Sequence, residues 1–342
     1  MKNRTRTVKI ALCVGSFAAF AVCAAARADQ AAFDEGRRLF VERMVTDHDF
    51  ERAAVEDMLS SAVLDERVLT AISRPAERVA PWYDYRKIFV TEQRINGGVE
   101  FWRRHADELE RVSAQYGVPP EMIVAIIGVE TFFGQRMGSY RVLDSLATLA
   151  FAYPPRSRFF SGELEALLLL TREEGAHVLD AKGSYAGAMG AGQFIPSSFR
   201  AYAVDGNGDG RRDLWGDWQD VLGSVANYFK VHGWRADEPV AVLATRTAQF
   251  SGPEPANGLD LTETVGSLEQ MGYRFEAGLP ESAPATVYLL EGEGDRPEYW
   301  VGLHNFYVIT RYNRSHKYAL AAYQLSQEIR TAYAAATGGS SR

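Results

Sequence analysis

Apolar residues recur three and four positions apart over most of the first third of the chain, which is the spacing of one face of an α-helix. The pattern runs from residue 31 to about residue 117, as in residues 50–59, FERAAVEDML. It is interrupted at Arg74-Pro75 and at Ala80-Pro81, because proline cannot continue a helix. We therefore predict a helical region that contains two breaks.

A second helical block extends from residue 119 to about residue 230. Three segments interrupt it: residues 153–155, which read Tyr-Pro-Pro, a glycine-rich stretch at 183–192, and an acidic, glycine-rich loop at 205–220. Such segments form turns and loops between helices. Two of them contain polar residues that could bind a ligand, so the loops of this block are the first candidates for function.

The pattern changes after Trp234, where short segments rich in β-branched and aromatic residues predict strands at 240–246, 285–290 and 299–309. Residues 318–335 return to helical spacing. The fold class predicted from these patterns is α+β and predominantly helical. We divide the chain into a signal peptide (1–28), a helical domain (29–117), a core (118–238), a small β-containing subdomain (239–305) and a segment that returns to the core and ends in a helix (306–342).

The N-terminal segment has the pattern of a secretory signal peptide. Basic residues precede a short apolar run at 10–25, which ends in the small residues around Arg27. Cleavage before Asp29 would remove both cysteines of the chain, Cys13 and Cys23. We therefore expect export to the periplasm. No later segment is long and apolar enough to span a bilayer.

A lipid anchor on one of these cysteines is the alternative. Leu12 and Val22, which precede the cysteines, are bulkier than the small residue that a bacterial lipidation site prefers. We therefore favour a soluble periplasmic protein over a lipid-anchored one.

The charge of the chain argues against nucleic acid as a partner. The chain has 37 basic and 44 acidic residues and a net charge of -7. Five of the basic residues and none of the acidic ones lie in 1–28, which leaves 32 basic against 44 acidic residues in the mature chain. A protein that binds the phosphate backbone needs an excess of basic residues on at least one face.

The loop that begins at Asp205 has the ligand spacing of a calcium-binding loop. Side-chain oxygens at Asp205, Asn207 and Asp209 occupy positions 1, 3 and 5, glycine occupies position 6, and the carbonyl of Arg211 would be the ligand at position 7. Hard oxygen ligands at alternate positions allow one loop to wrap around the ion. A surface turn without an ion is the alternative.

The loop departs from the standard EF-hand at its end. Position 12 is Gly216, where the standard loop has a bidentate glutamate. The closing carboxylate would have to come from Asp217 or Asp220, and we favour Asp220 because it begins the next apolar-periodic segment. The calcium ion would be structural, since full ligation leaves no position for substrate.

Glu130 lies near the end of an apolar segment that begins at Pro119-Pro120. It follows Ile127, Ile126 and Ile123 by three, four and seven residues, which places it on an apolar stripe. Burial disfavours the charged carboxylate, raises its pKa and makes it a candidate general acid. From the spacing alone, a carboxylate that pairs with an arginine or is solvated at the helix end is an equal alternative.

Other catalytic motifs are missing from the sequence. The chain has no GxSxG, HExxH, GxxxxGK[ST] or CxxC sequence, and its six histidines form no metal-spaced pair. A serine hydrolase, a zinc peptidase and a nucleotide-binding enzyme therefore lose support. The glycine-rich stretch allows close approach of a ligand, and Ser184, Gln193 and Phe194 could contact a sugar there. Tight packing between helices is the alternative.

Four motifs in the same order resemble the lytic murein transglycosylase B family, and the resemblance covers about residues 33–325. They are GVETFFG at 128–134, the stretch at 184–198, the loop at 205–220 that continues into GSVANYF at 223–229, and NFYVITRYNRS at 305–315. The resemblance implies a goose-lysozyme-like core that cleaves the β-1,4 bond between N-acetylmuramic acid (MurNAc) and N-acetylglucosamine (GlcNAc) in peptidoglycan.

The resemblance also implies the roles of individual residues. Glu130 would protonate the glycosidic oxygen and then act as base while the muramyl C6 hydroxyl closes onto C1, which leaves a 1,6-anhydro end. The residues that would hold the glycan strand are Tyr85, Arg156, Ser184, Gln193, Phe194, Tyr228, Tyr312, Asn313 and Tyr318. Whether the enzyme works alone or in complex with cell-wall synthases stays open, and we expect a monomer.

Two departures from the family pattern affect these expectations. The family often has Tyr-Pro-Arg-Arg where this chain has Tyr-Pro-Pro-Arg at 153–156, so one basic contact is lost while Arg156 remains. The acidic loop is one residue longer before its closing acid. Two other functions stay open: a lysozyme-type hydrolase that uses water, and a non-catalytic, calcium-stabilised protein that binds peptidoglycan.

Overall fold

The computed structural model describes the backbone of residues 15–74 and 80–338, and the side chains of residues 30–74 and 80–338 except Asp295. The first half of the predicted signal peptide, residues 1–14, lies outside the described residues. Residues 15–28 form the beginning of the first helix, whose side chains are described from residue 30 onwards.

The N-terminal part of the described chain is helical, as the spacing of its apolar residues predicts. Its helices are α1 (Gly15–His48), α2 (Arg52–Ser60), α3 (Glu66–Ile72), α4 (Trp82–Phe89), α5 (Glu92–Arg104) and α6 (Ala106–Tyr116). Both predicted breaks are confirmed, because α3 ends before Arg74 and α4 begins directly after Pro81. Gly117 ends α6 in the left-handed conformation, with a φ of 74°, which glycine adopts without strain.

The second helical block also matches its prediction. It contains α7 (Pro120–Thr131), α8 (Val142–Ala152), α9 (Ser157–Glu174), α10 (Pro196–Tyr202) and α11 (Trp218–Val231). Proline occupies the first position of α7 and of α10, where its missing N–H would have had no helical partner. Short 3-10 turns are present at Pro154–Arg156 and Ala176–Asp180. Two short strands, β1 (Tyr140–Arg141) and β2 (Lys182–Gly183), pair antiparallel.

The small sheet follows α11 and has five antiparallel strands in the order β4-β6-β7-β3-β5. The strands are β3 (Ala241–Arg246), β4 (Glu263–Thr264), β5 (Tyr273–Arg274), β6 (Pro284–Glu291) and β7 (Pro297–Gly302), with helix α12 (Val265–Met271) between β4 and β5 and a short 3-10 turn, Glu293–Asp295, between β6 and β7. The strands predicted at 240–246 and 285–290 are therefore confirmed, whereas β4, β5 and α12 were not predicted.

The strand predicted at 299–309 is wrong in its second half. The strand β7 ends at Gly302, and helix α13 (His304–Tyr312) follows. The buried side chain of Asn305 fixes this change of direction, because its amide donates to the carbonyls of Arg235 and Glu238 and its oxygen accepts from the N–H of Arg235. Buried β-branched residues are tolerated in a helix when tertiary packing selects it. Helix α14 (His316–Gly338) confirms the predicted C-terminal helix.

Helix α7 lies at the centre of the core. Ten of its twelve residues are buried, and it packs against α5, α6, α11 and α14. The predicted apolar stripe is therefore a helix that is apolar on almost every side, which is typical of a central helix. Glu130 is half-buried, in the last turn of this helix.

Within the described residues, no single helix is both long and apolar enough to cross a membrane. The pair Ala106–Tyr116 and Pro120–Thr131 meets these criteria only when taken together, and it is bent by 112° at the break.

Candidate active site

A sharp turn directly follows Glu130. Helix α7 ends at Thr131 because Phe132 and Phe133 both adopt left-handed backbone conformations, with φ of 52° and 60°. Two hydrogen bonds close the turn, from the N–H of Phe132 to the carbonyl of Gly128 (3.2 Å) and from the N–H of Phe133 to the carbonyl of Ile127 (3.2 Å). A left-handed residue other than glycine costs about 1–2 kcal/mol, so the surrounding packing must hold this turn in place.

Tyr318, near the beginning of α14, donates a hydrogen bond to Oε1 of Glu130. Burial raises the pKa of Glu130 to about 7 from its ordinary value of 4.5, while the hydrogen bond from Tyr318 acts in the opposite direction. Burial also raises the pKa of Tyr318 well above its ordinary value, and the charge of Glu130 adds to this effect. Near neutral pH the site therefore contains a carboxyl group that is close to half protonated, beside a neutral phenol.

Two more of the predicted tyrosines lie around this pair. Burial raises the pKa of Tyr312 well above its ordinary value, and the nearby charge of Glu130 contributes. The hydroxyl of Tyr312 donates to the carbonyl of Gly192 (2.6 Å). Tyr85, a buried residue of α4, is close enough to Tyr318 to raise its pKa. The fold thus brings Tyr312 and Tyr318, from the C-terminal part of the chain, to Glu130, and brings Tyr85 of α4 to Tyr318.

The glycine-rich stretch forms a tight turn beside the site. The hydroxyl oxygen of Ser184 accepts hydrogen bonds from the N–H groups of Ala186 (3.2 Å) and Ala188 (3.0 Å). Gln193 has a left-handed backbone with a φ of 53°, and its amide donates to the carbonyls of Gly190 (2.9 Å) and Met137 (3.2 Å). Both predicted sugar contacts therefore also hold the loop in shape.

Phe194 and Tyr228 lie behind Tyr312. Both are buried, and the ring of Phe194 packs 5.8 Å from the ring of Tyr228 and 5.9 Å from that of Tyr312. The hydroxyl of Tyr228 donates to the carbonyl of Arg311 (2.6 Å). These contacts support the position of Tyr312.

Arg156 and Asn313 are exposed. Asn313 directly follows Tyr312 at the end of α13, and its carbonyl accepts from the N–H of Ser315 (2.7 Å). The guanidinium of Arg156 stacks over the ring of Phe159 at 4.5 Å. Arg156 and Phe159 line an open groove of about 690 Å³ at the beginning of α9, and no member of the Glu130 cluster lines it.

Thr131 is a site residue that the sequence reasoning missed. Its buried hydroxyl donates to the carbonyl of Ala191 (2.8 Å) and accepts from the N–H of Gly134 (3.0 Å). It therefore joins the end of α7 to the glycine-rich stretch. A threonine directly after the candidate acid at a helix end was the available signal.

The acidic loop folds its side chains onto its own backbone. The carboxylate of Asp205 accepts from the N–H groups of Gly208 (2.7 Å) and Gly210 (2.8 Å). Asn207 Oδ1 accepts from the N–H of Asp209 (2.8 Å), and Asp209 Oδ1 accepts from the N–H of Arg211 (2.9 Å). The predicted ligands thus lie on one tight loop of hard oxygen donors, which is the donor type that calcium prefers.

The predicted closing residue, Asp220, is buried at the base of this loop. Its two carboxylate oxygens accept from the N–H groups of Gly206 (2.7 Å) and Asp213 (2.7 Å), and burial raises its pKa. Both closing candidates contact Asn207, because Asp217 Oδ2 accepts from its side-chain amide (2.7 Å) and its backbone N–H hydrogen-bonds to Asp220. Within the described part of the chain, no three His, Cys, Asp or Glu side chains are grouped so that they could hold a metal. A cation there would depend on Asn207 and on backbone carbonyls as well.

The sequence matches the transglycosylase SLT domain family over residues 32–327, which is most of the chain. The chain belongs to this family. It is 45% identical over 299 residues to membrane-bound lytic murein transglycosylase B of Escherichia coli K12, a match that covers 85% of this chain and 81% of that protein. This SLT-family chain is therefore a lytic murein transglycosylase, and the predicted family is confirmed.

Solved structures of family members share the fold. Soluble lytic transglycosylase SltB1 of Pseudomonas aeruginosa is 48% identical, has a TM-score of 0.80, and the match covers 89% of this chain and 99% of that one. Escherichia coli SLT35, solved in complex with calcium, is 45% identical with a TM-score of 0.78, covering 87% and 93% of the two chains. SltB3 of P. aeruginosa, solved with NAG-anhNAM-pentapeptide, is 32% identical with a TM-score of 0.76, covering 87% and 79%. The predicted helical, lysozyme-like fold is confirmed.

Proposed function

We propose that Glu130 is the single acid and base of a non-hydrolytic cleavage of peptidoglycan. Its carboxyl group gives a proton to the oxygen of the MurNAc-β-1,4-GlcNAc bond, and the bond from that oxygen to C1 of MurNAc breaks. The muramyl C6 hydroxyl then bonds to C1, and its proton passes to the Glu130 carboxylate. The acid is regenerated, no water is consumed, and one product ends in 1,6-anhydro-MurNAc.

The observation that carries this proposal is a carboxyl group at the end of a buried helix that accepts a hydrogen bond from a phenol, in surroundings whose burial raises its pKa to about 7. A general acid works best when its pKa is near the working pH, because it then donates and recovers a proton with similar ease. Among the described residues, the phenols of Tyr318 and Tyr312 interact with the charge of Glu130, and their raised pKa values keep them neutral. A glycosidase that follows the common two-carboxylate scheme needs a second carboxylate as nucleophile or base.

The products distinguish this reaction from hydrolysis. We expect the purified enzyme to digest sacculi to soluble muropeptides. Each of these products should weigh one water molecule less than the corresponding lysozyme product, because the C6 hydroxyl replaces water as the nucleophile. Mass spectrometry of the soluble products measures this difference. Reducing MurNAc ends as the main product would contradict the internal nucleophile and would support the hydrolase.

We further propose that the glycan strand lies across the tyrosines around Glu130. Tyr85, Tyr312 and Tyr318 would contact the sugar at the reacting bond, while Phe194 and Tyr228 keep Tyr312 in place. Ser184, Gln193, Asn313 and Arg156 would extend the binding surface on either side. The complex of the relative SltB3 with NAG-anhNAM-pentapeptide supports a peptidoglycan strand as the ligand.

We propose that the acidic loop binds a structural calcium ion through Asp205, Asn207, Asp209 and the carbonyl of Arg211. Carboxylate, amide and carbonyl oxygens fit this ion, and the relative SLT35 has been solved in complex with calcium. Asp220 would supply the closing carboxylate, and its oxygens also accept from the N–H groups of Gly206 and Asp213 at the two ends of the loop; Asp217 is the alternative.

Calcium should stabilise the folded protein. A calcium concentration about 100 times the Kd should raise the free energy of unfolding by about 2.7 kcal/mol, because the ion binds only the folded loop. Thermal melts with calcium and with a chelator measure this effect. Asp209→Ala should remove the response, and Asp57→Ala, an exposed position on α2, should keep it. Equal melting temperatures with and without calcium would show that the loop is only a turn.

We propose that the enzyme acts in the periplasm after export by residues 1–28, as a soluble monomer. The name of the E. coli relative places that protein at a membrane, and lipidation of Cys23 or Cys13 would do the same here. The mass of the mature protein from the periplasmic fraction decides between them, because cleavage before Asp29 removes both cysteines.

A further inference from the structure

Arg94, in the first turn of α5, is a buried arginine that the proposed mechanism does not use. It is 9% exposed, and within the described residues it forms no ion pair with a carboxylate. Burial lowers its pKa, and the charge of Arg136 adds to this effect, but arginine remains protonated in proteins. A buried cation is costly unless its hydrogen-bonding groups are satisfied, so its partners indicate what it does.

The partners of Arg94 are backbone carbonyls at the ends of two helices. Nε donates to the carbonyl of Gly128 (2.9 Å), in the last turn of α7, two residues before Glu130. Nη1 donates to the carbonyls of Ile88 (2.7 Å) and Phe89 (3.0 Å), at the end of α4. The carbonyls of Ile88 and Phe89 lie in the last turn of α4, where carbonyls lack a helical partner. The carbonyl of Gly128 also accepts from the N–H of Phe132, so Arg94 is its second donor. At both helix ends the cation compensates the partial negative charge of the C-terminus.

The same guanidinium also lies against the strained turn that follows Glu130. It stacks over the ring of Phe132 at 5.3 Å and over the ring of Phe89 at 5.4 Å. Phe132 is the first of the two left-handed residues that end α7. The guanidinium of Arg136 lies over the same Phe132 ring at 5.0 Å, so this left-handed residue packs against two cations, and cation–π contacts help to hold it in place.

The two helices joined by Arg94 carry two residues of the candidate site. Helix α7 carries Glu130 and α4 carries Tyr85, and both residues lie next to Tyr318. The ring of Phe89, beneath the guanidinium, packs 5.3 Å from the ring of Tyr85. From this geometry we infer that Arg94 is a positioning residue of the reaction: it fixes Glu130 relative to Tyr85 and Tyr318. The inference rests on the proposed role of Glu130.

Replacement of Arg94 should lower turnover, measured as kcat, without a matching loss of substrate binding. We expect Arg94→Met to lower kcat on peptidoglycan oligomers at least about 10-fold while KM stays within about twofold, because a displacement of about 1 Å can cost 100-fold in rate. Arg94→Lys should recover part of the loss. In Arg94→Ala, guanidinium chloride at about 50 mM, far below denaturing concentrations, should raise kcat by filling the vacated position.

The matched control is Arg103→Met. Arg103 lies on the same helix, is exposed, and also donates to a carbonyl near a helix end, that of Ala336 (3.0 Å). Its loss should leave kcat and KM unchanged. Melting temperatures are measured on every variant, and kinetics are run well below them. A general loss of stability would lower kcat in a way that guanidinium does not reverse.

Two results separate this inference from the proposed function. A folded Arg94→Met enzyme with wild-type kcat, next to an inactive Glu130→Gln, would overturn the inference and leave the proposed function intact. If Arg94→Met does not fold, the test rests on Arg94→Ala and Arg94→Lys: a low kcat in Arg94→Ala that guanidinium does not raise, next to an Arg94→Lys enzyme that turns over no faster than Arg94→Ala, overturns it equally. A Glu130→Gln enzyme that still turns over would instead contradict the proposed function.

Discussion

Replacement of Glu130 by glutamine should lower turnover on peptidoglycan by about 1000-fold or more. Glutamine has almost the same shape as glutamate and can still accept the hydrogen bond from Tyr318, so the fold and the groove should be unchanged. The amide cannot give a proton to the leaving oxygen or take one from the C6 hydroxyl. Loss of a positioned acid costs about 100- to 10,000-fold, and here one group has both roles. Release of soluble muropeptides from sacculi measures the effect.

Helix α7 itself provides the matched control for this experiment. Glu121 lies in the first turn of the same helix, is 9% exposed, and forms an ion pair with Arg330 at 3.8 Å. Glu121→Gln therefore makes the same chemical change in the same helix, at the end opposite the site. We expect turnover within about twofold of the wild type. A Glu130→Gln enzyme that digests sacculi at the rate of Glu121→Gln would remove Glu130 from the mechanism.

The comparison of these two glutamates shows how far the sequence could predict the site. Spacing placed Glu130 among the isoleucines of α7, and that was right, but α7 is buried on nearly every side. A helix that is apolar all round has no stripe, so spacing alone could not separate Glu130 from Glu121. What marks Glu130 is tertiary: burial raises its pKa, and its hydrogen-bond donor, Tyr318, is 188 residues away in the chain. The family resemblance, not the apolar pattern, selected Glu130 as the candidate acid.

The local sequence predicted the helices and their breaks well, because proline and glycine affect the backbone conformation at their own positions. Local prediction failed where a distant contact decides the structure. The segment after Gly302 is predicted as a strand because it contains β-branched residues such as Val308 and Ile309. It forms α13 instead, because the side chain of Asn305 hydrogen-bonds to a loop 67 to 70 residues earlier. Only the tertiary structure contains that information.

The same limit applies to the two buried charged groups that organise the loops and the site. Asp220 is predicted as the closing calcium ligand from its position in the sequence, but no sequence pattern shows that its oxygens also accept from the backbone N–H groups of Gly206 and Asp213. Arg94 had no sequence signal, since an arginine in the first turn of an amphipathic helix is usually solvated. The hydrogen-bond partners of Arg94 are backbone carbonyls, and residue types do not predict where backbone carbonyls come together in the fold.

The raised pKa of Glu130 should also cost the folded protein stability above neutral pH. In the unfolded chain the carboxyl group would titrate near 4.5, and in the folded chain near 7. Below about pH 4.5 both states are protonated and the group has no effect on stability. Between these values the folded state holds a proton that the unfolded state has released, so stability falls as pH rises. Above about pH 7 the cost levels off at about 3 kcal/mol.

Glu130→Gln should therefore unfold at higher urea concentration than the wild type at about pH 8, with a gain of up to about 3 kcal/mol, and the gain should vanish at about pH 4. Glu121→Gln loses its ion pair with Arg330 and should not be stabilised at about pH 8. In the wild-type enzyme kcat should fall about tenfold per pH unit above about pH 7, because only the protonated acid can begin the reaction. If the stability gain at about pH 8 is absent while turnover is lost, Glu130 is not held in a desolvated position, and its pKa cannot explain the acid step.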